Sequence, residues 1–174
     1  MSKHSEILFI AKSPVGASEV FFDLFNAANS GYDLHVASVK PIVSGAVAVT
    51  GALGLDLFLT FTTAVGTAGT AATRTGTSLT ASTFGSTSPV PSVLPLSISA
   101  RRLPTGGATA GAVISHVEVF IEETNAGTYL DKDFISPKME DVVVPQGFGI
   151  QVQQGAVASV GNIGFMVVFA LVAK

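Results

Sequence analysis

From Val113 to Glu123 the chain alternates residue by residue. Val113, Val117, Val119 and Ile121 fall on one face, and His116, Glu118, Phe120 and Glu122 on the other. Apolar, β-branched residues at a period of two mark a half-buried strand, and the pattern recurs. Leu55 to Thr63 sets Leu55, Leu57, Leu59 and Phe61 against Asp56, Phe58, Thr60 and Thr62. Leu94 to Arg102 and Phe148 to Gln154 alternate in the same way, and Glu6 to Lys12, Val142 to Val144 and the nearly all-apolar Gly164 to Ala173 read as further strands. Asp33 to Ser44 is apolar on both faces, with Leu34, Val36 and Ile42 on one and Ala37, Val39 and Val43 on the other. It reads as a strand buried on two sides or lying in an interface. Ser18 to Ala28 admits a short helix with Ser18 as N-cap, but Val20 and three Phe residues favour a strand over Glu19 to Phe25. Turn residues separate the strands at Asn26 to Gly31 and at Pro145-Gln146-Gly147. The expected fold is all-β: a single jelly-roll-like antiparallel β-sandwich of eight or nine strands over residues 1–174, a length that fits one domain.

Charge narrows the function. Only 12% of the 174 residues are charged while 48% are hydrophobic, and an ordinary soluble domain is about 25% charged. This composition excludes a charge-rich disordered tail and a coiled coil. Nine basic residues scattered along a chain of net charge −3 argue against nucleic acid as a partner. The longest apolar-plus-Gly stretch, Ile163 to Ala173, is 11 residues, against about 20 for a membrane helix, so no membrane span is expected. The five-residue run Ile7 to Ala11 is too short for a signal peptide.

Chemistry is poorly supplied. With no cysteine there is no disulfide, thiol nucleophile or Cys-bearing zinc site. The three histidines, His4, His35 and His116, lack a Gly-x-Ser-x-Gly elbow. Gly106-Gly107 and Gly66-x-x-Gly69 lack the Lys of a phosphate loop. Glu122, Glu123, Asp131 and Asp133 could offer oxygen ligands to calcium, but Lys132 between the two Asp residues opposes a cation and the EF-hand spacing is missing. The expectation is a non-enzyme with no catalytic residues, metal or cofactor.

A charge-poor chain needs its surface covered, because monomers rarely expose large apolar patches. Self-association is therefore expected. Phe58 and Phe120 stand among Asp56, Thr60, Glu118 and Glu122 on outward faces, the setting of interface anchors. Arg74, Arg101 and Arg102 are candidates for pairing with acids of another chain. Ala64 to Ser92 carries eight Thr, five Ser, five Ala, four Gly and one charge, Arg74. It reads as an extended segment lying across a neighbouring subunit, as a surface loop, or as an extra Thr-rich hairpin. Residues 1–12 are expected to serve as an N-terminal arm.

The layout resembles a known family. An N-terminal strand, the loop Asn26 to Gly31, the long strand Asp33 to Ser44, a Thr/Gly/Ala tract at Thr62 to Thr80, Val144-Pro-Gln-Gly-Phe-Gly-Ile150 and a closing apolar strand follow one another. This order resembles the decoration, or cement, proteins of tailed-bacteriophage heads, many of which are trimeric jelly rolls. The Pro-Gln-Gly turn is similar to the corner before the penultimate strand of viral and TNF-like jelly rolls. The resemblance implies a homotrimer, made in the host cytoplasm, that sits on the virion capsid surface and contacts the major capsid protein. Competing expectations are a shell-forming, tail or fibre subunit, and a jelly-roll carbohydrate-binding or adhesion module. The latter is weakened by the absence of Trp and the presence of only two Tyr. A cupin-like enzyme would need more clustered ligands than His35 and His116 supply.

Overall fold

The computed structural model describes residues 4–43, 53–74, 80–86, 94–106, 110–121, 134, 141–157 and 161–174. These form eleven strands: β1 (His4–Pro14), β2 (Val20–Asn26), β3 (Tyr32–Val43), β4 (Leu53–Thr62), β5 (Thr70–Ala71), β6 (Thr83–Ser86), β7 (Ile98–Arg102), β8 (Ala110–Ile121), β9 (Val142–Val144), β10 (Phe148–Gln154) and β11 (Asn162–Ala173). No described residue is helical. The protein is an all-β sandwich of two antiparallel sheets, one of five strands in the order β6-β1-β11-β3-β9 and one of six in the order β5-β7-β2-β10-β4-β8. Each segment read as a strand contains one, and β5 and β6 are additional.

Both sheets turn their apolar residues to one core. The five-stranded sheet supplies Leu8 and Ile10 from β1, Leu34, Val36 and Val39 from β3, and Ile163, Phe165, Val167 and Phe169 from β11. The other sheet supplies Phe22 and Leu24 from β2, Leu55, Leu57 and Leu59 from β4, and Ile150 and Val152 from β10. Phe165 is fully buried at the centre. Its ring centroid lies 5.5 Å from that of Phe21, 5.4 Å from Phe22 and 6.4 Å from Phe134, all tilted as aromatic quadrupoles prefer.

Leu96, expected inward, is 86% exposed because it lies in the turn closed by the Ile98 N–H to Pro95 carbonyl bond, and the strand begins only at Ile98. Three bulges account for other places where alternation misleads. An extra residue in one strand reverses the facing of everything beyond it. In β3 the register against β11 shifts at Ala37, so Leu34, Val36 and Val39 all point into the core. The strand is therefore buried on one side, not two. In β2 a shift at Phe21 lets Phe21 and Phe22 both be fully buried. In β8 the shift falls between Val113 and Ser115. Val113 is consequently 58% exposed, contrary to its expected inward face, and Ile114 packs against the core instead.

The turns follow residue chemistry. Phe148 N–H donates to the Pro145 carbonyl at 3.3 Å, and Gly147 takes φ +82°, the left-handed position that a type II turn assigns to Gly. Asn26 closes the loop 26–31: its Nδ2 donates to the Tyr32 carbonyl at 2.9 Å and to the Val144 carbonyl at 3.2 Å.

Two expected appendages are integral to the sandwich. Residues 4–14 are β1, an interior strand paired with both β11 and β6. The described part of the Thr-rich segment crosses between the sheets. Thr70–Ala71 joins the edge of one through β7, and Thr83–Ser86 joins the edge of the other through β1. Phe84, 1% exposed, reaches the core on the way.

Candidate functional site

β4 and β8 pair so that Asp56 lies directly opposite Glu118, and Phe58 directly opposite His116. All four belong to the outward set of their strands. The Phe58 and His116 rings stack with centroids 4.5 Å apart and planes 6° from parallel. His116 Nε2 contacts Asp56 Oδ1. One ligating atom from each of Asp56, His116 and Glu118 lies within 4.8 Å of the others. Phe58 is thus half-buried beneath an imidazole of its own chain. Phe120 lies opposite Gly54 in β8, and its side chain falls outside the described residues, as do Glu122, Glu123, Asp131 and Asp133.

The three arginines do not converge. Each holds a local backbone segment. Arg74 donates from Nη1 to the Leu94 carbonyl at 3.1 Å and from Nη2 to the carbonyls of Leu96, at 3.1 Å, and Ile98. Its guanidinium sits 5.8 Å above the Phe84 ring centroid, within cation–π range. Burial lowers the Arg74 pKa, and the group stays cationic at neutral pH. Arg101 donates to the Ala68 carbonyl at 2.9 Å and pairs in register with Asp23. Arg102 donates to the Lys12 carbonyl at 2.8 Å and to Ser13 Oγ at 3.3 Å. His35 stands apart from His116, with Nδ1 3.9 Å from Asp141 Oδ2.

A polar row crosses the outer face of the six-stranded sheet, where Arg101, Asp23, Gln151 and Thr60 are successive cross-strand partners. Asp23, Gln151 and Thr60 are nevertheless 1%, 1% and 4% exposed. Gly66 and Pro104 fold over this face: Gly66 N–H donates to Asp23 Oδ2 at 2.8 Å, and a Cβ at Gly66 would come within 2.7 Å of the Pro104 ring and 3.0 Å of the carboxylate. Asp23 Oδ1, Gln151 Oε1 and Thr60 Oγ1 have no hydrogen-bond partner among the described residues.

Burial raises the Asp23 pKa above its usual range, and the Gly66 bond and Arg101 only partly oppose it. The native state therefore binds more protons than the unfolded chain between the ordinary carboxylate range and the raised value, so stability falls as pH rises through that window. Asp23→Asn keeps an oxygen for the Gly66 N–H and removes the charge. Its unfolding midpoint is expected to exceed that of the parent at neutral pH and to lose this part of the pH dependence. Denaturant titrations between pH 4 and 8 check it, and a mutant midpoint below the parent's at neutral pH would contradict it.

No protein family, curated protein or solved structure matches this chain. No helix among the described residues is long and apolar enough to cross a membrane. The Asp56–His116–Glu118 convergence was only half legible in the sequence. Alternation put all three on outward faces, but nothing local showed that β4 pairs with β8, or in what register.

Proposed function

We propose that this chain is a structural virion protein, a head-decoration protein that associates as a homotrimer and bridges capsomers by binding the major capsid protein. The observation that carries self-association is the β8 edge. β8 ends the six-stranded sheet, and among the described residues no strand covers its outer side. Its first four residues, Ala110, Gly111, Ala112 and Val113, are all exposed and carry no charge. An edge strand whose exposed first four residues carry no charge is a template for another chain, and a second copy of the same protein is the occupant it suits. Leu96, 86% exposed, and Val157, 76% exposed, extend the apolar character of the surface. The alternation of strands between the sheets, β1, β3, β9 and β11 in one and β2, β4, β8 and β10 in the other, supports a jelly-roll winding. It therefore supports the resemblance on which the capsid role rests.

The test is native mass by size-exclusion chromatography with light scattering. A discrete species at three times the 17.7 kDa chain mass is expected, together with binding to empty capsids. Val113→Lys, at an exposed position, should yield monomer without loss of fold. Large closed particles would make the protein the shell subunit instead, and a monomeric parent would overturn the assembly reading.

A further inference from the structure

The outer face of the β4–β8 pair brings two carboxylates and an imidazole together. Like charges directly opposite one another on adjacent strands are destabilising, yet Asp56 and Glu118 occupy such a pair. An imidazole nitrogen from the neighbouring pair joins the two carboxylates. The imidazole is held: its ring lies flat on Phe58, which fixes its plane while leaving Nε2 directed to Asp56. Asp56 is held through its backbone, whose carbonyl accepts from Gly155 N–H at 2.7 Å. Any Cβ at residue 155 would lie 2.7 Å from Asp56 Oδ2, so glycine there leaves the carboxylate its room.

We propose that Asp56, His116 and Glu118 form a surface binding site for a divalent d-block cation of the Zn²⁺ class. The donor set decides the class. Imidazole suits zinc and its neighbours in the first transition row, whereas calcium and magnesium take oxygen ligands almost alone. Three protein ligands with the remaining position open to water is a common zinc arrangement. Zn–N and Zn–O bonds of about 2.0–2.2 Å place ligand atoms roughly 3.3–3.5 Å apart in a tetrahedron. Atoms already within 4.8 Å of one another reach that spacing by rotation of the Glu118 side chain, which its exposure permits. The bound ion would replace carboxylate repulsion by attraction to a shared cation, and would tie the edge strand β8 to β4. The site does not depend on the assembly reading and stands or falls separately from it.

Calorimetric titration of untagged, full-length protein with Zn²⁺ tests the assignment. One ion per chain is expected, with His116→Gln and Glu118→Gln each weakening binding at least tenfold, and with no measurable heat from Ca²⁺ or Mg²⁺ at the same concentrations. His35→Gln, which removes the imidazole beside Asp141, should leave the affinity unchanged. Glu118 is exposed, so Glu118→Gln keeps the test decisive even if His116→Gln loses the ring stack and misfolds. Circular dichroism of each variant verifies the fold. Absence of stoichiometric Zn²⁺ binding, or binding that Glu118→Gln leaves intact, would overturn the proposal.

Discussion

Phe165→Ala is expected to lower the unfolding free energy by about 3–5 kcal/mol, the usual cost of truncating a fully buried Phe. The position sets the upper part of that range. Phe165 is 0% exposed and its ring contacts those of Phe21, Phe22 and Phe134 together. Its partners are anchored separately. Phe21 and Phe22 are fixed by pairing of β2 with β10 and β7, and Phe134 by its N–H bond to the Val39 carbonyl at 2.9 Å. The surroundings therefore cannot collapse into the space, and the cavity persists. Domains are stable by only about 5–15 kcal/mol, so this single change should leave a large unfolded fraction at physiological temperature. Phe165→Leu, which keeps most of the volume, should cost less than half as much. Guanidinium titrations of the three proteins would show the ordering in their midpoints. A Phe165→Ala midpoint close to the parent's would mean that the two sheets are not locked through this ring.

What could be read from the sequence divides along a physical line. Alternation at period two is a local signal, and at Leu55 to Thr63 and Phe148 to Gln154 it located the strand and the buried Leu55, Leu57, Leu59, Ile150 and Val152, although Phe148, expected inward, is 41% exposed and the opposite-face Thr60, Thr62 and Gln151 are buried as well. Bulges are not local in that sense. Ala37, Phe21 and Ile114 look ordinary in sequence, and only pairing with a neighbour shows that each is the surplus residue that reverses the facing. The strands Thr70–Ala71 and Thr83–Ser86 are two and four residues long, too short to display a period. They form because the edges of β7 and β1 offer partners. The candidate site fails to appear for the same reason as the bulges. Asp56 and Glu118 lie far apart in the chain and become neighbours only through β-pairing, which alternation does not encode.

Arg74→Met is expected to lower stability by about 2–4 kcal/mol, and the size of the effect separates two roles for this residue. Arg74 is the one charge in a Thr-, Ser- and Ala-rich tract, which made it a candidate for pairing with an acid on a neighbouring subunit. The structure directs its donors inward, to the carbonyls of Leu94, Leu96 and Ile98, with the guanidinium over Phe84. Hydrogen bonds from a charged donor contribute roughly 1.5–3 kcal/mol each where buried, and the solvent-exposed contact to Leu96 contributes least. Met preserves the apolar stem against Phe84 and deletes every donor, so the loss measures the latch itself. Lys, with a single ammonium in place of the planar fork, should recover only part. The consequence reaches along the crossover, where Phe84 N–H donates to the Thr73 carbonyl at 2.8 Å and Thr73 N–H to the Ser82 carbonyl at 3.0 Å. These amides should exchange faster with solvent in Arg74→Met, while those of the β10–β4 ladder are less affected. An intramolecular latch predicts a stability loss independent of protein concentration. An inter-subunit salt bridge predicts the reverse: an unchanged dilute-solution midpoint and a lower one only where the oligomer is populated. The three carbonyls already gathered around one guanidinium favour the first outcome, because each would have to be released before Arg74 could turn toward another chain.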